Sequence, residues 1–171
     1  MFSFCAQYDH AHRFFFDIRG VVHHEYVPAG QTVNAKFYVE VLKRVRERVR
    51  RAPPELWAEN AWILHQGNAP SHTALVMREF LAKNKITTMY HPPYSPDLAP
   101  CDFYLFPKVK NIMRGEHFVD VDTIKRETTK LLKELTKEDM QHCFQEWEKR
   151  WTKCILSGGE YFEGDHIPVP E

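Results

Sequence analysis

The sequence predicts an α/β protein built on a mixed β-sheet that is flanked by helices. Two β-patterned segments, residues 14–16 and 21–27, are joined by a short polar turn and therefore predict an antiparallel hairpin. Further along, apolar β-patterned runs at residues 62–65 and 86–91 enclose a helix-patterned segment at residues 73–83. This β-α-β succession is typical of parallel strands buried under helices. A sheet that contains both a hairpin and a parallel pair is mixed.

The composition indicates one globular domain with a hydrophobic core. The chain has 171 residues, of which 43% are hydrophobic and 27% are charged, and such a length buries about two thirds of the unfolded chain's surface. Its 23 basic and 23 acidic residues balance, so bulk charge does not favour nucleic acid as a partner. We find no signal-peptide pattern and no apolar run of about 18 residues. We therefore expect a protein that is neither secreted nor membrane-spanning.

The cysteines indicate reduced thiols rather than a disulfide framework or a zinc site. They form no C-x-x-C pair and show no zinc-ligand spacing. We expect most of them to be buried in an intracellular protein. They are Cys5, Cys101, Cys143 and Cys154.

The hairpin and the helix after it carry clear local signals. Asp17 and Gly20 stand at the first and fourth positions of the hairpin turn, as type I turns prefer. Asn34 suits the N-cap of a helix, and the prolines at 53–54 should end it. The apolar residues at helical spacing should form its buried face. They are Tyr38, Val41, Leu42, Val45 and Val49.

The opposite face of this helix is strongly basic. Seven Lys and Arg residues stand against two acidic residues, Glu40 and Glu47. The pattern leaves two interpretations open, a solvated helix face or a surface that contacts phosphates. The basic residues are Lys36, Lys43, Arg44, Arg46, Arg48, Arg50 and Arg51.

The second half of the chain predicts an ordered proline-rich loop followed by helices. Residues 92–100 contain too much proline for regular structure. Asp102 suits the cap of a helix or the position just ahead of it, and Pro107 falls near that helix's first turn. A further helix should follow Asp122 and present one apolar face. Its members are Ile124, Thr128, Leu131, Leu132 and Leu135.

The last predicted helix is bounded by two end signals. Thr136 and Asp139 resemble a capping box, and Gly158-Gly159 should end the helix. Its apolar stripe predicts core packing rather than a ligand site. The stripe consists of Met140, Cys143, Phe144, Trp147, Trp151, Cys154 and Ile155.

Two motifs carry the chemistry. Residues 65–72 read H-Q-G-N-A-P-S-H and residues 91–102 read H-P-P-Y-S-P-D-L-A-P-C-D. They resemble the catalytic core of Tc1/mariner transposases, the mariner branch in particular, where the motifs read H-[HQ]-D-N-A-P-[SA]-H and H-P-P-Y-S-P-D-L-A-P-x-D. The resemblance covers residues 14–165 and implies a catalytic-domain remnant. A divergent segment, residues 1–13, precedes it, and a flexible tail, residues 166–171, follows it.

The resemblance implies a ribonuclease-H-like fold, with a mixed sheet flanked by helices. The first strand of the family fold should be missing or replaced by the N-terminal residues. In the family, three carboxylates hold two divalent metals about 4 Å apart, which stabilise the attacking and leaving oxygens of a phosphoryl transfer. The implied cofactor of the ancestral enzyme is Mg²⁺ or Mn²⁺.

The family's carboxylates are largely absent from this chain. The metal-binding aspartate of the second motif is present as Asp102, whereas the catalytic position of the first motif is Gly67. The remaining aspartate belongs on a strand upstream of Phe14, where no T-G-D-E-x-W type segment occurs. One carboxylate of three gives at best weak metal binding, so we expect no cofactor in this chain.

Two alternatives to a lost site stay open at this point. Other carboxylates could replace the missing ligands, although none occupies a family ligand position. The candidates are Asp97, Asp17 and Glu25. In addition, His65, Asn68 and His72 could form either a metal cluster or a turn of hydrogen-bonding side chains.

These observations predict a domesticated, transposase-derived domain that binds nucleic acid and lacks transposition and nuclease activity. The expected partner is DNA, bound weakly and without sequence specificity, because the family's N-terminal helix-turn-helix modules have no counterpart here. We expect no membrane and no small-molecule substrate, and a nuclear or otherwise cytoplasmic location. The alternatives are residual metal-dependent DNA cleavage or transfer, and a decayed product without independent function. The predicted DNA-binding residues are Lys43, Arg44, Arg46, Arg48, Arg50 and Arg51.

The N-terminal residues are predicted to complete the sheet. In a ribonuclease-H-like fold the first strand lies between the hairpin and the strand at residues 62–65. Its loss would leave unpaired backbone groups in the middle of the sheet, which is costly. We therefore predict that Phe2–Tyr8 fills this position and pairs with Phe14–Asp17 across the turn at residues 9–12.

Overall fold

The computed structural model describes residues 2–9 as backbone and residues 12–51, 62–114 and 120–160 in full. Contacts divide the chain into two compact units, Met1–Pro93 and Tyr94–Glu171. This division was not predicted from the sequence. The predicted domain bounds near residues 13 and 165 stay predictions.

The first unit contains the predicted mixed sheet. Five described strands lie in the order β3-β2-β1-β4-β5. Strand β1 pairs antiparallel with β2, as β2 does with β3, whereas β1 with β4 and β4 with β5 are parallel. The strands are β1 (Phe2–Asp9), β2 (His12–Asp17), β3 (Gly20–Tyr26), β4 (Trp62–Gln66) and β5 (Thr87–Tyr90).

Strand β1 is the middle strand of this sheet. On one side its register with β2 runs from Cys5 opposite Phe16 to Asp9 opposite His12. On the other side its register with β4 runs from Phe2 opposite Trp62 to Ala6 opposite Gln66. The prediction that the N-terminal residues fill the central position is therefore confirmed, and the strand extends one residue beyond Tyr8.

The β2–β3 hairpin turns on a buried carboxylate. Asp17 Oδ1 accepts hydrogen bonds from the backbone N–H groups of Arg19 and Gly20, at 2.8 and 3.1 Å. The Arg19 guanidinium also contacts Asp17 Oδ2 at 2.9 Å, which compensates the burial of the charge. Gly20 has a φ of +147°, which a side chain would disfavour. The turn predicted from Asp17 and Gly20 is confirmed.

Helix α1 (Ala35–Arg50) forms as the sequence predicts. The Asn34 side chain accepts a hydrogen bond from the Phe37 backbone N–H at 2.9 Å, which confirms the N-cap. The whole predicted apolar face is buried in one core with residues of the sheet. The core includes Phe15, Tyr38, Val41, Leu42, Val45, Val49, Trp62 and Leu64.

The helical segment between β4 and β5 is broken, which corrects the single helix predicted over residues 73–83. It consists of a short turn, α2 (Pro70–Thr73), and helix α3 (Leu75–Lys83). Ala74 separates them with an extended ψ of 151°, and its carbonyl accepts the first hydrogen bonds of α3, from Met77 and Arg78. The break is not evident from the sequence, because α3 starts after an alanine rather than after a typical N-cap residue.

The second unit begins with two irregular turns. Pro96–Leu98 forms a 3₁₀ turn inside the segment predicted to lack regular structure. Cys101–Leu105 forms a π-helical turn, so Asp102 lies within helical backbone rather than at a cap. Helix α4 (Phe106–Met113) follows directly, with proline in its first turn as predicted.

Two longer helices complete the second unit. Helix α5 (Val121–Glu134) begins before the predicted start, because Asp120 rather than Asp122 accepts the capping bond. Helix α6 (Lys137–Leu156) has the predicted capping box, and positive φ angles at Gly158 and Gly159 accompany its end.

The apolar faces of these two helices are only partly as predicted. Leu132, Met140 and Trp147 are buried, and Ile124 is 39% exposed. Ile155 is 73% exposed, so the predicted core packing was wrong for this residue. Cysteine thiols are free and at least half-buried wherever side chains are described, while the side chain of Cys5 lies outside the described residues. Within the described chain, no helix is both long and apolar enough to cross a membrane.

We predict strong amide protection in the middle of β1. Residues 2–6 of β1 pair with β4 and residues 5–9 pair with β2, so residues 5–6 have a partner strand on each side. Hydrogen exchange of residues 5–6 should be on the order of a hundredfold slower than in the loop at residues 29–32, measured by NMR at neutral pH. Equally fast exchange in both segments of a folded protein would contradict the central position of β1.

Candidate functional site

The turn after β4 occupies the position of the first sequence motif. Gly67 follows the last residue of the strand, and its carbonyl accepts a hydrogen bond from His72 Nδ1 at 2.7 Å. The Asn68 side-chain amide donates to the His91 carbonyl at 2.7 Å, which ties the turn to the end of β5. The turn is therefore fixed by two hydrogen bonds that do not involve a side chain at position 67.

His72 is held in one orientation by its neighbours. It is 2% exposed, and its ring lies 4.2 Å from the Tyr38 ring, centroid to centroid. The Tyr38 hydroxyl in turn donates to Gln66 Oε1 at 3.0 Å. Burial lowers the pKa of His72 to about 4, although the bond to the Gly67 carbonyl opposes this shift and the charge of Arg13 adds to it. His72 is therefore a neutral donor at physiological pH.

A second histidine pair lies beside this turn. His65 Nε2 and His91 Nδ1 are 3.2 Å apart, so one imidazole donates to the other. The side chains of Asn68 and His72 form hydrogen bonds with backbone carbonyls. These contacts confirm the interpretation of a hydrogen-bonding turn and give the alternative of a metal cluster no support.

The backbone at Gly67 does not require glycine. A Cβ atom built on this residue meets no heavy atom within 4 Å, and its φ lies outside the left-handed region. The residue borders an open pocket of about 450 Å³ between the end of β4, helix α3 and β5. An aspartate would fit here without strain, so its absence removes a ligand and leaves the fold unaffected.

The neighbouring strand offers no carboxylate at the same level. Gln66 pairs with Ala6 on β1, so Gln7 is the residue of β1 that lies level with Gly67. Asp9 is the carboxylate of β1 and lies two residues further, about 7 Å along the strand. The register of β1 therefore places no carboxylate level with Gly67.

Asp102 lies in the second unit, in a segment that α6 holds in place. Trp147 Nε1 donates to the Leu98 carbonyl at 2.8 Å, and an Arg150 guanidinium nitrogen donates to the Asp97 carbonyl at 3.1 Å. The same guanidinium lies 4.4 Å from the centre of the Phe103 ring. Asp102 itself is half-buried in this segment. The second motif thus keeps an ordered structure.

Two of the three alternative carboxylates, Asp17 and Glu25, have structural partners. Asp17 closes the hairpin turn, as described above. Glu25 accepts from His23 Nε2 at 2.7 Å and from two guanidinium nitrogens of Arg44 at 2.8 and 2.7 Å. Burial alone would raise the pKa of Glu25, but these bonds lower it to about 2. Both residues are therefore committed to the fold.

The donor set does not fit the two-metal site that the resemblance implies. Mg²⁺ requires several oxygen ligands in near-octahedral geometry, and position 67 has no side chain to supply one. In the described ranges, no group of three or more His, Cys, Asp or Glu side chains is arranged to hold a metal ion.

The basic face of α1 is partly neutralised by ion pairs. Arg44 is bound to Glu25, Lys43 to Glu40 at 2.6 Å, and Arg50 to Glu47 at 2.8 Å; Arg46 is 3.8 Å from Glu47. Arg48 and Arg51 are exposed and have no ion pair with any residue that the structure describes. Of the six predicted DNA-binding residues, these two are the most available to a phosphate.

Arg48 and Arg51 lie far along the helix from the Gly67 turn. Tyr38, near the start of α1, contacts Gln66 at the end of β4. Arg48 is ten residues later, which is about 15 Å along the axis. The structure therefore does not bring these two arginines and the first motif together.

A second basic surface, on α5, was not predicted from the sequence. Arg126, Lys130 and Lys133 recur at i, i+4 and i+7 and so share one helix face. This helical spacing of basic residues is the sequence signal for the surface.

Comparison with known proteins identifies relatives. A profile of the DDE superfamily endonuclease family matches residues 24–125. The Mariner Mos1 transposase of Drosophila mauritiana is 30% identical over 148 residues, which are 86% of this chain and 43% of Mos1. The histone-lysine N-methyltransferase SETMAR of Homo sapiens is 24% identical over 144 residues, 84% of this chain and 21% of SETMAR. The chain thus spans less than half the length of either relative.

Solved structures agree with the sequence relatives. A structure of the Mos1 transposase catalytic domain with raltegravir and Mg matches with a TM-score of 0.84 and 26% identity, over 94% of this chain and 85% of that one. A Mos1 transposase paired-end complex with the left transposon end matches with a TM-score of 0.79 and 30% identity, over 88% and 44%. The predicted ribonuclease-H-like α/β fold is confirmed by these similarities.

The buried His72 predicts a loss of stability in acid. Its pKa of about 4 lies below the unfolded value of 6.5, so between these values the unfolded chain binds more protons. The free energy of unfolding should fall as pH falls from 6.5 to 4, by up to about 1.4 kcal/mol per pH unit for one full proton. His12, whose burial lowers its pKa to about 3, acts in the same direction.

The variant His72→Asn isolates this contribution, because its amide can still donate to the Gly67 carbonyl but does not titrate. Urea unfolding at several pH values should give a shallower pH dependence for the variant than for the parent. An unchanged slope in a folded variant would show that His72 is not the buried titrating group.

Proposed function

Because this chain belongs to the DDE endonuclease superfamily and is Tc1/mariner transposase-like, we propose that it is a transposase-derived nucleic-acid-binding domain without nuclease or strand-transfer activity. The observation that carries the proposal is Gly67, a residue without a side chain at the ligand position after β4. The motif around it is still folded. The missing ligand at position 67 therefore accounts for the absence of catalysis without any change in the fold.

The donor chemistry supports the loss of catalysis. Metal-assisted phosphoryl transfer in such an enzyme depends on carboxylates that hold and align two divalent ions. In this chain position 67 contributes no carboxylate, and β1 carries none level with this residue. Asp102 alone would give a single monodentate contact. This chain therefore lacks the means to fix two ions about 4 Å apart.

Two observations support a nucleic-acid partner. One solved relative is a complex with a transposon end, so this architecture is compatible with bound DNA in that protein. In this chain Arg48 and Arg51 border an open groove beside α1 and lack ion pairs among the described residues. Contacts of this kind go to phosphates and carry no sequence information. The proposed binding is therefore weak, independent of sequence, and fits a nuclear location.

We predict that the chain does not cleave or join DNA. Incubated with supercoiled plasmid and Mg²⁺ or Mn²⁺, the purified protein should produce no nicked or linear product. The variant Gly67→Asp should also be inactive. It restores one ligand at a position that accepts a side chain, but β1 still supplies none.

Asp102→Ala is the matched control for contaminating nucleases. Metal-dependent cleavage by the parent that disappears in Asp102→Ala would overturn the proposal. Cleavage that persists in this variant would come from another protein in the preparation.

We predict that binding through α1 depends on its unpaired arginines. Replacing Arg48 and Arg51 together by Gln keeps helix propensity and should remove about two phosphate contacts. The log–log slope of affinity against salt should become shallower by about 2, measured by fluorescence anisotropy on a labelled duplex of about 20 base pairs. Arg44 is left unchanged because its replacement would also break the pair with Glu25.

The control variant is Lys149→Gln/Lys153→Gln on α6, which removes the same charge elsewhere and should leave the slope unchanged. Circular dichroism checks that both variants are folded. Identical slopes in the parent and in Arg48→Gln/Arg51→Gln would mean that α1 presents only a solvated face. Absence of any DNA binding by the parent would refute the proposed function itself.

A further inference from the structure

Helix α5 presents a groove whose charged residues are all basic. Arg126, Thr129, Lys130 and Lys133 recur at i, i+3, i+4 and i+7, so they follow one face of the helix. With Lys125 they line an open groove of about 370 Å³. Among the described residues, the lining contains no carboxylate.

The two lysines at the end of this stripe carry uncompensated charge. Lys125 is 3.7 Å from Asp122, and Arg126 is 3.2 Å from Glu127, but both acids lie outside the lining. Lys130 and Lys133 are exposed, and neither has an ion pair within the ranges that the structure describes.

The groove beside α1 is different in this respect. Its lining includes Glu40 and Glu47 together with the basic residues. Glu40 binds Lys43, and Glu47 binds Arg50. Carboxylates in a groove repel phosphates at close range. The α5 groove is therefore the better anion surface, although α1 carries more basic residues.

We propose that the α5 groove binds the sugar–phosphate backbone of nucleic acid, with Lys130 and Lys133 as the principal phosphate contacts. The inference rests on the proposed function for the class of partner, and it goes beyond that function by assigning a separate surface in the second unit. Thr129 supplies a neutral hydroxyl on the same face, a common phosphate partner.

The spacing of the cations suits a phosphate backbone. From Arg126 to Lys133 the helix rises about 10 Å. Phosphates of one strand recur about every 3.4 Å along a duplex axis, so this distance spans about three of them. A stripe of three cations over this length can therefore reach more than one phosphate of the backbone.

The lining favours nucleic acid over an acidic protein. Protein interfaces bury an apolar or aromatic centre and are depleted in lysine. The α5 groove is lined by four cations and one threonine, with no aromatic or aliphatic residue in its described lining. Flexible lysines carry compact point charges, which suit phosphates without fixing a base sequence.

The test compares Lys130→Gln/Lys133→Gln with the parent chain and with Lys149→Gln/Lys153→Gln. Binding of a labelled duplex of about 20 base pairs is measured by anisotropy over a range of salt concentrations, with circular dichroism as the folding check. The α5 variant should bind at least about tenfold more weakly at 0.1 M salt, and its salt slope should be shallower by about 2. The control should match the parent.

Two further arms make the result specific. Lys130→Arg/Lys133→Arg should bind as the parent does, since the charge is retained. Polyglutamate of equal charge should compete much less well than unlabelled DNA. Equal competition by polyglutamate would overturn the assignment in favour of an acidic protein partner.

The outcomes also separate this inference from the proposed function. If DNA binding and its salt slope are unchanged in the α5 variant but weakened in Arg48→Gln/Arg51→Gln, the α5 assignment is wrong and the proposed function stands. If the parent chain does not bind DNA, both are wrong.

Discussion

The middle strand of a sheet must have partners on both sides, and the first unit depends on this constraint. Strand β1 pairs with β2 on one edge and with β4 on the other. Its backbone joins the hairpin to the parallel strands, and α1 packs its apolar face on the resulting surface. A segment without any recognisable motif meets this need, because strand pairing uses backbone groups that every residue except proline possesses. Pairing at this position is therefore compatible with a segment that carries no recognisable catalytic motif.

The turn at Gly67 is likewise held by contacts that do not depend on a catalytic side chain. His72 and Asn68 fix it through bonds to backbone carbonyls, and Tyr38 orients His72 from the facing helix. None of these contacts uses the side chain that the family carries at position 67. The most conspicuous part of the motif, its histidine and asparagine, therefore supports structure. Only the missing aspartate would have supported catalysis, so resemblance in the motif and competence in the site are separate properties.

Local signals in the sequence were sufficient for much of the fold. Asn34 and Thr136 cap helices through atoms three residues away, so their neighbours in the sequence contain the necessary information. The pair between Arg44 and Glu25 joins residues 19 apart and depends on how α1 lies on β3. The sequence therefore overestimates how many basic residues of α1 are available to bind a phosphate. Exposure of Ile155 likewise depends on packing, which helical spacing does not reveal.

The open space around Gly67 also bears on how this sequence changes over generations. Codons for glycine and aspartate differ by a single base, and a side chain at this position meets nothing within 4 Å. Exchange in either direction therefore changes the stability of the fold very little, so selection for a stable protein does not distinguish the two residues. A chain of this kind keeps its shape with either residue at position 67, and folding alone gives no pressure toward one or the other.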